Sequence, residues 1–400
     1  MSSSYGTQQL EPTRIERTAD VSSYANAVWR AVSAGEVIAD YGAYHGGLGH
    51  APPPDHVLIV PPGGVVAHAV GDLSITVLGG TTLGEIQGAL LKAGQFLAVD
   101  GPMDMTIAEV VAHHVSGGLR VGHGSVRDLL LGLRYVDGTG QVITVGGRTV
   151  KNVAGYDVTR LMVGSMNILG LIAEVTLRTS VVPGCLIHVD VDAVDPKSFA
   201  MVGTELLVSD ASPWSLEWEH LNTMAELRPN VLRFAFGGSQ RQCDVQRAAL
   251  ERFLDERGWL GGNVSVRRVT VEEDLKVRAG RWGWRAKAGV VVKVVVEPAN
   301  TGRMVEALFG LEAPPPMVHA MPTLGIVHFG AGWDAARAGR VDQWLAERVG
   351  GWCGFRVWMK RPAGAAHLVP IWPDQSDWTM LAKLKRTMDP RNMFNPGRLL

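Results

Sequence analysis

Four hundred residues with 46% hydrophobic and 19% charged content make a well-packed globular chain, long enough for two domains. Lys and Arg number 38 against 39 Asp and Glu, and the net charge of -1 leaves no basic excess for a phosphate backbone, which excludes nucleic acid as an expected partner. Cys185, Cys243 and Cys353 lie far apart, without the close spacing that holds iron-sulfur clusters or structural zinc, so any such centre is expected on another chain.

Residues 1–11 read as a flexible tail. The polar start has neither a basic n-region nor an apolar h-region, and no 18-residue apolar run follows, so a cytoplasmic protein without direct membrane insertion is expected, with any membrane contact made through partner subunits. Residues 12–182 are rich in Gly and β-branched side chains. Short apolar runs at 57–60, 75–78 and 175–178 predict strands, and 22–34, 82–93 and 107–115 predict helices, with Thr82 at the start of the second.

After Pro183 the rhythm changes to strand, helix, strand, strand, helix, strand. Its first round is 185–193, 199–208, SLEWEHL, NVLRFAFG and the amphipathic 241–257. The round begins again with VVVKVVVEP at 290–298, a helix over 301–309, a strand pair in MVHAMPTLGIVHFG, a helix over 340–349 and FRVWMK. An antiparallel sheet with helices on one face follows, a ferredoxin-like α+β cap domain over 183–380 or an unrelated α+β domain. Residues 381–400 hold a cationic helix stopped by Pro390 and Pro396, with a docked end.

Backbone N–H groups that converge on a diphosphate come from Gly-rich turns, and three are present. VIADYGAYHGGLG at 37–49 lacks both the GxGxxG spacing and a following helix, and by itself reads as a flexible loop in which His45 and His50 are ordinary loop histidines. MTIAEVVAHHVSGGLRVGHGSVRDLLLGL at 105–133 lets Thr106 cap a short helix whose first amides face an anion, while Gly117, Gly118, Gly122 and Gly124 allow close wrapping around a ligand. Adjacent His113 and His114, with His123, point to different helix faces, so no metal is expected. The third turn lies in GGRTVKNVAGYDVTRLMVGSMNILGLIAEVTLR at 146–178.

KNVAGYDVTRLMVGS, the LG and apolar strand ending in EVTLR, the upstream VRDLLLGLRYVDGTGQV and the terminal DPRNMFNPGR together resemble the E subunit of bacterial glycolate oxidase, of the vanillyl-alcohol-oxidase class. The likeness runs over about 12–182 and returns at 381–400. It implies an α+β chain: a two-subdomain FAD-binding PCMH-type fold at 12–182, a ferredoxin-like cap, and a C-terminal segment returning to the FAD domain. It further implies FAD as cofactor, held by Tyr41, Gly42, Ala43, Tyr44, His45 and Gly46 at the pyrophosphate, and by Thr106, Ile107, Ala108, Glu109, His114 and Gly117 in a second loop. Gly164, Ser165, Gly170 and Ile172 would meet the adenine and ribose side, and Asn395 would lie toward the ring. The implied role is that of a subunit of a glycolate or 2-hydroxy-acid dehydrogenase complex, beside a catalytic flavoprotein subunit and an iron-sulfur subunit.

The chain departs from the pattern in each loop. A bulky Tyr41 stands at a glycine position and His45 at a basic one, Ala108 and Glu109 replace a Gly pair, and Asn167 and Ile168 replace Gly and Thr. A carboxylate beside a diphosphate is repulsive unless it points away. Two readings follow: FAD bound with altered contacts, or a scaffold that has kept the fold and lost the flavin. A self-sufficient FAD oxidoreductase for a small alcohol or acid is a third. The paired-histidine HxGDGNxH metal motif of the catalytic relatives is missing: GIVHFGAGW offers His328, with His319 nine residues earlier. This chain is therefore not expected to be the hydroxy-acid-oxidising subunit. Arg278, Arg281, Trp282, Trp284, Arg285 and Lys287, before Lys293, form a basic and aromatic cluster that binds a carboxylate or a partner, or else is a solvated loop.

Overall fold

The computed structural model describes residues 12–39, 55–147, 157–192, 194–206, 209–223, 226–227, 230–258, 264–311, 315, 317–362, 365 and 378–396. They pack as two units. The first unit lies within Thr7–Ser116, Gly124–Val182 and Asp374–Leu400, and the second within Pro183–Pro373 and the short segment Gly117–His123.

The first unit is built on two larger sheets, with a separate antiparallel pair of Gln95–Phe96 and Ser180–Val181. Strands Arg14–Arg17, His56–Val60 and Val37–Ala39 form a parallel sheet with His56–Val60 at its centre. Parallel neighbours need a crossover, and the helix Val21–Ala34 supplies one. Asp20 caps it by accepting from Ser23 N at 2.7 Å, and Gly35 ends it at φ 75°, where a side chain would be strained. Its Ala27, Val28 and Ala31 are buried in one core with Ile38, Val57, Ile59, Leu171 and Phe394. The second sheet is antiparallel, in the order Val65–Ala69, Ser74–Leu78, Leu171–Arg178, Leu130–Val136, Val142–Gly146.

The C-terminal residues fasten onto the first sheet. Phe394 bridges Ile38, Ile38 N donates to Met393 O at 2.8 Å, and Asn395 N donates to Ile38 O at 3.0 Å. Buried Lys385 holds the turn by donating to Asp389 at 2.5 Å and to Phe394 O at 2.7 Å, while Asp389 accepts from Met393 N and Phe394 N.

The second unit holds a sheet of nine antiparallel strands made of two similar halves. The first half runs Cys185–Asp192, helix Pro196–Glu205, Ser215–Thr223, Val231–Gly238, helix Gln240–Asp255, Val264–Arg268. The second runs Val290–Val295, helix Thr301–Phe309, Met317–Met321, Ile326–Ala331, helix Ala335–Gly351, Phe355–Lys360. Each half is a strand-helix-strand-strand-helix-strand unit, and they join where Ser215–Thr223 pairs with Met317–Met321. The short strand Glu226–Leu227 extends the first of these.

Strand alternation gives the sheet two unlike faces. Leu216, Trp218, Val292, Val294, Val318, Ala320, Val327 and Phe329 share one core with buried residues of the four helices. Glu217, Glu219, Lys293, His319 and His328 alternate with them and so lie on the opposite face. There the helix Val271–Lys287 packs, with Trp284 against Val291 and Met317. The sequence rhythm placed helices on one face; this fifth helix occupies the other. Gly280 and Gly283 weaken its propensity, which made the segment look like a loop. The Thr270 to Glu273 capping box and the acidic first turn of Glu272, Glu273 and Asp274 stabilise its start. The basic and aromatic cluster is thus helical and largely buried, not a solvated loop, with Arg278, Trp282, Trp284 and Arg285 all inside.

Candidate functional site

The first unit contains a cleft between its two larger sheets. Ile38, Ala39, Ile59 and Pro61 of the parallel sheet and its edge line one side, and Leu171 and Ile172 of the antiparallel sheet line another. Ala108, Glu109 and Asn167 contribute small and polar lining. Three of the expected cofactor residues, Ala108, Glu109 and Ile172, therefore meet at one cleft.

The short helix Ile107–Ala112 starts beside it, capped by Thr106. Glu109 closes the capping box: its Oε2 accepts from Thr106 N at 2.8 Å and from Thr106 Oγ at 2.7 Å, and Glu109 N donates to Thr106 Oγ at 3.3 Å. Ile107 N donates to Thr81 O at 2.9 Å and Ala108 N to Gly79 O at 3.0 Å. The first three amides of the helix are thus taken by the protein itself, so the expectation that they face an anion does not hold for them. The T-x-x-E spacing that announces this box was present in the sequence, where Glu109 read only as a misplaced charge.

His114 and Gly164 are brought together, the former at φ 48° and the latter at φ 80° with a Cβ position 3.6 Å from His114 Cβ. Gly164 N donates to Val111 O at 3.0 Å, and Ser165 is buried. Met166 and Asn167 follow with positive φ, and Asn395 Nδ2 donates to Asn167 O at 3.2 Å. Gly170 is a glycine for packing: a Cβ there would sit 2.5 Å from the Tyr135 ring. Gly117 falls on the segment that packs with the second unit. Its neighbours Gly118 and Gly122 allow close approach to protein and not to a ligand, since a Cβ on Gly118 would meet Ser215 Oγ at 2.3 Å and one on Gly122 would meet Trp214 Cα at 2.7 Å. Tyr41, Gly42, Ala43, Tyr44, His45 and Gly46 lie outside the described residues, as do 148–156 of the third loop.

The second unit carries a buried charged network that sequence spacing did not reveal. Glu217 accepts from Arg278 at 3.1 Å, Arg281 at 2.9 Å, His319 Nε2 at 3.0 Å and the Gly118 amide at 3.2 Å. Burial alone would raise its pKa; Arg278, the His319 hydrogen bond and Arg281 outweigh burial and hold the carboxyl well below its ordinary range. Asp274 pairs with His188 at 2.8 Å and Arg278 at 2.9 Å, and these partners overcome burial to bring its pKa down to about 2. Glu219 and Asp190 share Arg233.

Across the seam lie His319, His328 and Lys293, direct register partners on adjacent strands. The two histidine rings stack with centroids 6.3 Å apart, so His328, read from the sequence as a lone structural histidine, has a companion brought in by the tight 322–325 turn. Among the described residues no group of three or more His, Cys, Asp or Glu side chains is arranged to hold a metal ion. No helix of the described residues is long and apolar enough to cross a membrane.

No family model matches the chain. A stretch of 118 residues, 29% of the chain, is 42% identical to the glycolate oxidase subunit GlcE of Escherichia coli and spans 34% of that protein, about a third of its length. Over 368 residues, 82% of this chain and 76% of the relative, it is 24% identical to the D-2-hydroxyglutarate dehydrogenase of Xanthomonas citri pv. viticola. Among solved structures, alkyldihydroxyacetonephosphate synthase superposes with a TM-score of 0.63 over 96% of this chain and 76% of that one, at 14% identity. The chain is a relative of the FAD-linked oxidoreductases. Its fold is the α+β, PCMH-type fold of that family, with the two sheets of the first unit as its two subdomains.

One feature of the cleft is Glu109, a buried residue whose carboxylate is turned back onto its own helix start. The acids of the Ser215–Thr223 strand belong to the second unit. Their S-x-E-x-E alternation was legible, but alternation by itself cannot say whether the polar face meets water or a buried helix.

Proposed function

We propose that this chain is the FAD-binding subunit of a glycolate or related 2-hydroxy-acid dehydrogenase complex, working in electron transfer or assembly beside a catalytic flavoprotein subunit and an iron-sulfur subunit. The observation that carries the reading is the cleft of the first unit, at which Ala108, Glu109 and Ile172 converge. The described walls suit such a ligand in their chemistry: mostly apolar side chains with few polar groups. Ile38, Ala39, Ile59, Pro61 and Ile172 would hold FAD by contact, and Asn167 would offer its amide. When bound, FAD supplies the redox chemistry, and the protein orients and tunes it. The 42% identity to a glycolate oxidase subunit over 118 residues supports the choice of complex.

A specific observation favours a second reading, a scaffold without flavin. The amides of Ile107, Ala108 and Glu109 all have protein acceptors, and the Glu109 carboxylate lines the cleft. Purifying the chain with its co-expressed neighbours and recording the visible spectrum separates the two. Flavin absorption with released FAD is the expected result; a colourless chain that stays colourless after incubation with FAD would remove the cofactor. Dye reduction by the isolated chain with a 2-hydroxy acid would instead make it a self-sufficient oxidoreductase.

A further inference from the structure

Two of the three cysteines, 58 residues apart in sequence, meet inside the second unit. Cys185 opens the strand Cys185–Asp192, and Cys243 is the fourth residue of the helix Gln240–Asp255. Both are buried in the same core, and both are free thiols. The Cys243 thiol donates to Cys185 O at 3.5 Å and to Phe236 O at 3.6 Å, and the Cys185 side chain is also its hydrogen-bond neighbour. Burial first, and then the Cys185 thiol, push the Cys243 thiol up to about 12. The pair is therefore protonated and unreactive while the helix start is closed, since the thiolate is the nucleophile.

The element that carries Cys243 can open locally. Ser239, Gln240, Arg241 and Gln242, which precede it, are all exposed. Their turn is held by a capping box: Ser239 N donates to Gln242 Oε1 at 2.7 Å and Gln242 N to Ser239 Oγ at 3.3 Å, while Cys243 N donates to Ser239 O at 3.0 Å. Fraying a helix end costs far less than unfolding a whole unit. Once this turn opens, Cys243 loses the burial that holds its proton, and a small oxidant reaches it. Reclosing returns the sulfur to Cys185.

We propose that Cys185 and Cys243 form a redox latch, a dithiol that hydrogen peroxide converts to a disulfide tying the first strand of the second unit to the start of its second helix. The Cys243 thiolate attacks one peroxide oxygen, the O–O bond breaks, and a sulfenic acid forms while the other oxygen leaves as water with the thiol's proton. Cys185 then attacks the sulfenic sulfur, the S–S bond forms, the S–O bond breaks, and a second water leaves with the Cys185 proton. The two thiols give up two electrons and the peroxide accepts them. The latch goes beyond the proposed function and stands within the second unit whether or not FAD is bound in the first.

The test uses the whole purified chain carrying Cys353→Ser, which removes the exposed third thiol. The folded protein is treated with hydrogen peroxide, alkylated in denaturant and digested, and the peptides are read by mass spectrometry. The expected result is loss of both thiols together, a peptide linked through Cys185 and Cys243 in chains that stay monomeric on a non-reducing gel, and return of both thiols with dithiothreitol. Ser239→Ala, checked for folding by circular dichroism, is expected to close the disulfide roughly fivefold faster, because losing the cap populates the open turn. Both thiols surviving peroxide in the folded chain would overturn the latch. So would oxidation of one cysteine to the sulfinic acid without a linked peptide, or a rate that Ser239→Ala leaves unchanged.

Discussion

His319 Nε2 donates to Glu217 Oε1 at 3.0 Å, and this bond crosses the seam between the two halves of the second unit. Arg285 can only donate, so its contact with His319 Nδ1 at 3.2 Å makes that nitrogen the acceptor and leaves the ring hydrogen on Nε2, facing Glu217. One carboxylate thereby binds two arginines of the Val271–Lys287 helix, a histidine of the other half and the amide of Gly118.

Removing that carboxylate leaves Arg278 and Arg281 short of charge in the interior. Glu217→Ala is expected to destabilise the second unit by about 3–5 kcal/mol, read from its denaturant midpoint. Gly118→Ala is expected to act in the same direction, because its Cβ would lie 2.4 Å from the Glu217 carboxyl carbon. An unchanged midpoint in Glu217→Ala would remove the network from the account of stability.

Acid should weaken the same unit through Asp274. Its folded pKa of about 2 lies below the 3.8 of a free aspartate, so its stabilisation is fully present above the unfolded value and is lost as pH falls through about 2. The difference corresponds to about 2 kcal/mol. Stability of the wild type and Asp274→Asn measured from pH 6 to pH 2 should converge at the acid end; a constant gap would contradict the assignment.

Lys293 has the opposite linkage. Its folded pKa of about 8 lies below the 10.5 of the free side chain, so protonation opposes folding, a cost absent above the upper value and complete below the lower one. Lys293→Met is expected to raise stability at neutral pH by about 2 kcal/mol, with the gain fading as pH rises through that window. Equal stability of the two proteins at pH 7 in ligand-free buffer would contradict it.

The C-terminal turn should matter to the cleft. Asp389 ties Lys385, Met393 N and Phe394 N together, and the 393–395 segment holds Ile38, a residue of the cleft wall. Asp389→Ala leaves a buried ammonium without its carboxylate and is expected to cost about 3–5 kcal/mol, with weaker retention of FAD measured by dialysis.

Much of the secondary structure was legible because local chemistry announces it. Thr82 with Glu85 and Ser239 with Gln242 are capping boxes that mark helix starts, and the helix at Thr301–Phe309 has the bounds its apolar spacing gives. The doubled strand and helix rhythm after Pro183 was also legible. What was hidden depends on register. His319 and His328 stand nine residues apart in sequence, yet a tight turn makes them neighbours, and Lys293 joins their row from a third strand. The role of Gly118 and Gly122 was hidden for a similar reason, since the partner that demands a missing Cβ lies some hundred residues away.

Glu109 bears most directly on the cofactor. Glu109→Gln keeps an acceptor for the Thr106 amide and removes a negative charge from the cleft wall, so FAD is expected to bind several-fold more tightly. An unchanged or weaker affinity would place the ligand away from this carboxylate.

The most direct measurement is the amount of FAD released per chain by the wild type and by Ala108→Trp, whose indole fills the cleft between Ile38 and Ile172. Stoichiometric FAD in the wild type and little in the folded variant is the expected result. Equal flavin in both proteins, or none in the wild type after reconstitution, would contradict a flavin held in this cleft.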